Sequence, residues 1–169
     1  MAIILHGSEL ETAVRWVNVA IEKAKQSPCI RDKRGVVIVC NSNLEIGLGF
    51  NAPPPRFSCE PRYCEPTCKD YAIHAEMSAI ADAVRRGNGQ NLIGARMYHA
   101  RVEGGALQDS RKPRCYQCSK HLVLFGLAEF VLKHREGYTL YSIQEFNQLS
   151  LDNTLASATN NDRFLPIIR

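Results

Sequence analysis

His74-Ala75-Glu76 and Pro113-Arg114-Cys115-Tyr116-Gln117-Cys118 are the two stretches of sequence that most narrow the choice of fold. Each stands at the start of a segment with helical periodicity, and a predicted β-strand lies between the two segments. One His and two Cys supply three ligands of the kind that zinc prefers, and catalytic zinc sites leave the fourth position open. Glu76, close to His74 in the chain, is a candidate proton carrier for a hydrolytic reaction.

The hydrophobic pattern around these stretches predicts alternating helices and strands. Their order is helix, two strands, helix, strand, helix, two strands, helix, which indicates one sheet with helices on both faces. Only about four residues separate the fourth and fifth strands, too few for a parallel crossover, so that pair is expected to be antiparallel. We therefore predict an α/β fold of three layers, α/β/α, with a five-stranded mixed sheet whose last strand pair is antiparallel.

The boundaries of the predicted elements follow from periodicity and from capping patterns. Ser8 with Glu11, and Ser142 with Glu145, are capping-box pairs that predict the starts of the first and last helices. The predicted helices cover residues 9–26, 74–86, 115–126 and 142–149, and the predicted strands cover residues 36–39, 46–50, 96–102, 127–133 and 138–141.

Length and composition are those of an ordinary soluble globular protein. The 169 residues, 45% apolar and 22% charged, predict a single domain, with its core in about residues 8–149 and a C-terminal tail at 152–169. No apolar stretch is long enough for a membrane span, and the N-terminal sequence lacks the features of a signal peptide. The seven cysteines are odd in number, so we expect metal binding or burial rather than a disulfide framework, and a cytoplasmic location.

The net charge of +4 is unevenly distributed. Four basic residues surround the two cysteines of the second stretch, and they form either a solvated face or a surface that attracts a phosphate-bearing substrate; they are Arg111, Lys112, Arg114 and Lys120. Arg114 is the candidate substrate contact among them. No long basic stripe is interleaved with aromatic residues, which argues against nucleic acid as the main partner.

The two motifs, in this order, match the signature of the zinc-dependent nucleobase deaminases. The sequence resembles the cytidine/deoxycytidylate deaminase superfamily over about residues 8–149, and Gly49-Phe50-Asn51 and Gly126-Leu127 add to the likeness. The resemblance implies that zinc is held by His74, Cys115 and Cys118. It also implies that Glu76 carries a proton from water to the ring nitrogen of the base while ammonia leaves. Asn51 would contact the sugar or base, and the backbone N–H of Ala75 would contact the base.

Two departures from the family pattern lie near the expected substrate pocket. Arg114 separates Pro113 from Cys115, whereas most relatives have Pro directly before the first Cys, and residues 103–112 form an insertion. The antiparallel last strand pair resembles the branch that acts on free cytidine, while the cysteine-bearing loop before His74 resembles the deoxycytidylate branch. The resemblance therefore leaves the base, the sugar and the phosphate state of the substrate open.

A second zinc site is implied by the same resemblance. Some deoxycytidylate deaminases have a similar cysteine loop that binds structural zinc, and the corresponding ligands here would be Cys29, Cys59, Cys64 and Cys68. The alternative is that these residues are reduced thiols in a loop. Relatives also commonly form homo-oligomers, which we expect of this chain by analogy.

Three functions remain open from the sequence. The first is hydrolytic deamination of cytosine in a nucleoside or nucleotide. The second is deamination of a purine base or of cytosine in single-stranded nucleic acid. The third is a zinc-stabilised binding module without turnover, which leaves Glu76 without a task. The remaining histidines, His99 among them, are expected to be structural or exposed rather than metal ligands.

Overall fold

The computed structural model describes residues 1–60 and 71–159. Its elements in chain order are β1 (Ile3–Ile4), α1 (Gly7–Lys25), β2 (Lys33–Val39), β3 (Glu45–Phe50), α2 (Ala75–Arg85), a 3-10 turn (Gly89–Leu92), β4 (Arg96–Glu103), β5 (Ala106–Gln108), α3 (Tyr116–Leu124), β6 (Glu129–His134), β7 (Gly137–Ser142) and α4 (Ile143–Thr159).

The strands form one mixed sheet in the order β1-β7-β6-β4-β2-β3, with β5 paired to the end of β4. Strands β4 and β6 are parallel, and the predicted antiparallel pairing of the last two strands, β6 and β7, is confirmed. The three-layer α/β/α fold is also confirmed, but the prediction of five strands was wrong, since the described part of the chain has seven. The additional strands are β1 and β5, of two and three residues, which are too short for a period of two to be recognised.

Helices cover both faces of the sheet. One core cluster joins α1 to the face of the sheet that carries Val37 and Val39. The other joins α2, α3 and α4 to the face that carries Val36 and Ile38. All four of these β2 side chains are buried because the strand is covered on both sides, which is why the sequence shows a continuous apolar run rather than alternation.

Helix α2 lies unusually close to β3. A Cβ added at Gly49 would stand 2.3 Å from both the carbonyl oxygen of Ala75 and the amide nitrogen of Ala79, and one at Gly47 would stand 2.5 Å from the carbonyl oxygen of Ala79. Only glycine permits this approach of backbone to backbone. The two glycines therefore fix how near the N-terminus of α2, and with it His74, lies to the sheet.

Beyond shifts of one or two residues at their ends, the helices differ from the predictions in three respects. Helix α1 starts at Gly7 with His6 as its N-cap and no side-chain cap, so the predicted capping role of Ser8 was wrong. At α4 the backbone N–H of Glu145 donates to the Ser142 hydroxyl (3.2 Å), as the cap predicted. The Glu145 carboxylate, however, accepts from the backbone N–H of Ala2 (2.8 Å).

The third difference is at the C-terminal end. Helix α4 continues to Thr159 instead of ending near residue 149, so the first part of the predicted tail at 152–169 is helical. Residues 160–169 lie outside the described residues. Within the described ranges, no helix has both the length and the apolar character needed to cross a bilayer.

Candidate metal centre

The N-termini of α2 and α3 bring the two sequence motifs together. His74 is the N-cap of α2, in extended conformation (φ −72, ψ 153), and Cys115 is the N-cap of α3. The predicted helix from residue 74 therefore begins at Ala75. Residues i and i+2 within a helix point to roughly opposite sides. Because His74 is extended rather than helical, its ring and the Glu76 side chain are not forced apart in this way. Both helices direct their positive ends toward this point, which favours thiolates there.

Three ligand atoms converge between these helix ends. The Nδ1 atom of His74 lies 3.1 Å from the Cys118 sulfur and 3.3 Å from the Cys115 sulfur. The two sulfurs lie 3.2 Å apart. Among the described residues, these three side chains are the only group of three or more His, Cys, Asp or Glu positioned to share a metal ion.

The triangle fits zinc. Zn–S and Zn–N bonds of ordinary length require edges of about 3.6 Å in a tetrahedral site, a few tenths of an ångström longer than those present. A small opening of the triangle would accommodate the ion. With three protein ligands of this kind, the site has the composition of an open, catalytic zinc centre rather than a closed, structural one.

The protonation of the ligands is set by their contacts. The hydrogen bond with Cys115 raises the pKa of His74 to about 9, against the opposing effect of burial. The hydrogen bond with Cys118, followed by that with His74, lowers the pKa of the Cys115 thiol although burial opposes it. The same contact with Cys115, together with burial, raises the pKa of Cys118. Because zinc binds a neutral imidazole and thiolates, metal uptake is expected to release protons from His74 and Cys118.

Glu76 lies in the first turn of α2 and is only 8% exposed. Burial raises the pKa of its carboxyl group, but the nearby His99 and His74, in their protonated forms, lower it, and the net shift is downward. Glu76 is not a member of the three-residue ligand group. The structure thus presents a buried carboxylate beside the metal ligands that is ionised at neutral pH and able to accept a proton.

His99 is the residue of the site whose position was not predicted. It lies on β4 opposite Val36, on the sheet face that α2 covers, and is 3% exposed. Burial lowers the pKa of His99 to about 4, with Glu76 opposing the shift, so the ring is neutral at pH 7. Its Nδ1 atom has no hydrogen-bond partner in the part of the chain that the structure describes. The alternation of side chains along β4 predicts on which face of the sheet His99 lies. That His99 lies near Glu76 depends on the position of α2, which the sequence does not predict.

Asn51 anchors the rim of the site. It is adjacent to Ala52, which pairs through both backbone groups with Ile73, the residue before His74. Its Oδ1 accepts from the Arg34 backbone N–H (2.8 Å) and from the Ser27 hydroxyl (2.9 Å), and its Nδ2 donates to the backbone carbonyl of residue 32 (2.8 Å). Within the described residues, the second amide hydrogen of Asn51 has no acceptor.

The other predicted substrate contacts lie at the helix ends. Ala75 is fully buried at the first position of α2, where backbone N–H groups lack an acceptor within the helix. The side chains of Lys112 and Arg114 are exposed on the loop that leads into Cys115, and no ion pair involves them among the described residues. The insertion before them contains β5, which forms a hairpin with β4 around Gly104 and Gly105.

Only two of the four predicted ligands of the second zinc site lie among the described residues. Cys29 is buried, and its sulfur accepts a hydrogen bond from the backbone N–H of Asp32 at 3.4 Å. Cys59 is half-buried. Cys64 and Cys68 lie outside the described residues, so this site stays a prediction.

Comparison with known proteins agrees with this geometry. The model of the family described as cytidine and deoxycytidylate deaminase zinc-binding region matches residues 10–134. A crystal structure of cytidine deaminase from Burkholderia pseudomallei superposes with a TM-score of 0.56 at 16% identity, over 79% of this chain and 94% of that one. The dCMP deaminase of cyanophage S-TIM5, in its apo form, gives a TM-score of 0.54 at 20% identity, over 71% and 80%.

A further structure of the phage enzyme, in complex with dCMP and dUMP, gives a TM-score of 0.52 at 18% identity, over 75% of this chain and 82% of that one. At these identities the likeness to solved structures establishes the fold alone. A search of the curated proteins finds no match.

Proposed function

Since the chain belongs to the cytidine and deoxycytidylate deaminase zinc-binding family, we propose that it hydrolyses the amino group from cytosine in a nucleoside or nucleotide and releases ammonia. The observation that supports this most is the convergence of His74, Cys115 and Cys118 at two helix N-termini, with the buried carboxylate of Glu76 beside them. A binding module without turnover would give that carboxylate no task. Burying it without a function would be costly.

The proposed mechanism assigns each proton to a residue of the chain. Zinc, when bound, polarises water and brings its pKa near 7. Glu76 accepts a proton from the attacking water and delivers it to the ring nitrogen of the base. The water oxygen bonds to the ring carbon that carries the amino group. Glu76 then transfers the second water proton from that oxygen to the amino group, so that the carbon–nitrogen bond breaks, a carbonyl forms and ammonia leaves. Neutral His99 borders this carboxylate without adding a second charge to the buried region.

Substrate orientation is proposed to come from the rim of the site. The N–H of Ala75 would donate to the base, and the remaining amide hydrogen of Asn51 would donate to the sugar or base. Because three hydrogen bonds already hold the Asn51 amide group, it would offer this hydrogen in a fixed direction.

The decisive experiment is a screen for ammonia release over free bases, nucleosides, nucleoside monophosphates and short single strands. Activity on none of the cytosine compounds would contradict the proposal.

The exposed charges beside Cys115 are proposed to favour a phosphate-bearing substrate. The double change Lys112→Ala, Arg114→Ala should raise KM for cytidine or deoxycytidine monophosphate by about fivefold, the effect of two exposed charge contacts, and leave KM for the nucleoside unchanged. The matched control is Arg135→Ala, which removes an exposed charge from the β6–β7 turn. Equal weakening for nucleoside and monophosphate would refute the phosphate contact.

A second, structural zinc ion is proposed at Cys29, Cys59, Cys64 and Cys68. Four thiolates would form a closed site and hold together the loop that precedes His74. Elemental analysis of the purified protein should then give about two zinc ions per chain, and about one after Cys64→Ser. The control is Cys40→Ser, which should leave the zinc content unchanged. A content of one that Cys64→Ser does not alter would remove the second site.

Three broader expectations remain predictions. They are a single domain over residues 1–169, a cytoplasmic location and a homo-oligomeric state. Gel filtration with light scattering would test the last of these.

A further inference from the structure

The C-terminal half of α4 contacts the loop that carries the first cysteine ligand. The Nδ2 atom of Asn153 donates to the backbone carbonyl of Pro113 at 2.9 Å. The hydroxyl of Thr154 lies between the backbone carbonyl of Arg114 and that of Ser150 in its own helix (2.7 Å), and its one hydrogen is shared between these two acceptors. Two consecutive carbonyls immediately before Cys115 are thus contacted by consecutive side chains of a helix that begins almost thirty residues later in the chain.

We propose that Asn153 and Thr154 are positioning residues for the metal centre, which hold the Pro113–Arg114 backbone so that the Cys115 sulfur faces His74 and Cys118. This inference rests on the zinc site proposed above. It concerns the segment in which Arg114 separates the proline from the first cysteine, a departure from the usual family pattern.

The loop depends on such support because it has little regular structure of its own. No strand or helix includes residues 109–115, and Cys115 itself is the N-cap of α3, with a backbone conformation (φ −88, ψ 80) that is not helical. The backbone N–H of Tyr116 bonds to the carbonyl of Arg114 at 3.1 Å, so a shift of residue 114 would move the start of α3 and the sulfur of Cys115 together.

The supporting side chains are themselves held in place. The second hydrogen of the Asn153 amide donates to the Leu149 carbonyl at 2.8 Å, which ties the side chain to its own helix. On the other side of Cys115, the hydroxyl of Ser119 in α3 donates to the Asn147 side chain at 2.8 Å, and Ser119 is fully buried. Helix α4 thus contacts the chain on both sides of Cys115, at residues 113–114 of the loop and at Ser119 of α3.

The consequence should appear in metal affinity rather than only in catalysis. Partners that orient metal ligands typically change affinity by about 10–100-fold when removed. Asn153 and Thr154 act on the backbone beside a ligand rather than on the ligand itself, so we expect the lower end, a zinc Kd raised about tenfold by Asn153→Ala. The Co2+-substituted protein should show altered ligand-field bands, because the tetrahedral geometry around the metal changes.

The test compares four single variants by zinc competition with a chromogenic chelator, and by Co2+ spectra. Asn153→Ala and Thr154→Val should weaken zinc binding, whereas Thr154→Ser keeps the hydroxyl and should retain the affinity of the unaltered protein. Gln148→Ala is the matched control, since Gln148 lies on the same helix and, among the described residues, its side chain bonds only to Asp152 (2.8 Å). If Asn153→Ala does not fold, the comparison of valine with serine at position 154 gives the answer alone.

Equal zinc affinity in Asn153→Ala and Gln148→Ala, or in the valine and serine variants at position 154, would overturn the positioning role. Such a result in a protein that binds zinc and deaminates would leave the proposed function intact. An unaltered protein that binds no zinc would instead refute the metal site, and this inference with it.

Discussion

Replacing Glu76 by Gln should reduce ammonia release by at least about a hundredfold, the lower range for loss of a positioned acid–base group. Gln has nearly the same shape as Glu but cannot accept a proton from water. The Glu76 carboxyl group is ionised at neutral pH, because its pKa lies below its ordinary value in spite of its burial, so a free carboxylate is available to take the proton. The measurement is kcat for the best substrate of the screen, together with zinc content and melting temperature.

The companion measurements separate catalysis from structure. Zinc content should be unchanged in Glu76→Gln, since this residue is not one of the three grouped ligands. Glu45→Gln is the matched control. It removes a partly buried carboxylate that pairs with Arg86 (2.8 Å) at the first residue of β3, the end of the strand away from Asn51, and it should leave kcat unaltered. Turnover close to that of the unaltered enzyme would show that Glu76 is not the proton carrier. Loss of zinc with loss of activity would assign it a structural role instead.

The sequence predicts the layers and most of the sheet because the longer elements carry strong local signals. The continuous apolar run Val36–Val39 indicated a strand buried on both faces, and the short link before Tyr138 required an antiparallel pair; both features are present. The elements that were missed have weak local signals. Strand β1 has two residues, and its main interactions are with β7 at the far end of the chain.

Strand β5 has a turn signal in the sequence but no strand signal of its own. Gly104 and Gly105 both have positive φ, of 58 and 82, and form a tight two-residue turn of the kind that Gly-Gly favours between strands. The three residues that follow are too few to show alternation, so the segment was predicted as a loop. The extension of α4 beyond Leu149 had no comparable signal, because its polar residues Asn153 and Thr154 are placed by bonds to the loop at 113–114.

The metal ligands and Glu76 were predictable because their spacing within each motif is local. The surroundings were not, since they depend on which elements meet in space. His99 borders Glu76 only because α2 packs over β3 and β2 on the face of the sheet that also carries His99. The Asn51 amide is held by the Ser27 hydroxyl and by the backbone of residues 32 and 34. Sequence patterns therefore predicted the candidate reacting groups, whereas the structure is needed to see the contacts around them.

Replacing Gly49 by Ala should damage both the stability of the fold and the candidate site. The added methyl carbon would lie 2.3 Å from two backbone atoms of α2 and 2.9 Å from the Cα of Ala79, so the helix has to move away from β3. Overpacking costs about 1–3 kcal/mol when side chains can yield, and here the obstacle is backbone, so we expect about 3 kcal/mol of lost stability. The displaced N-terminus of α2 carries both His74 and Glu76. A misplacement of about 1 Å at a reacting centre can lower kcat about a hundredfold.

Gly89→Ala is the matched control for this prediction. A methyl carbon at Gly89 would meet only the Val84 side chain, at 3.9 Å, and Gly89 has no positive φ that alanine would oppose. The control should therefore fold with unchanged or slightly raised stability, while Gly49→Ala loses stability in urea unfolding and loses zinc affinity and kcat together. An unaltered kcat and an unaltered midpoint of urea unfolding in Gly49→Ala would mean that α2 can move away from the sheet without disturbing the site. In that case the close approach of β3 to α2 would not be what positions His74 and Glu76.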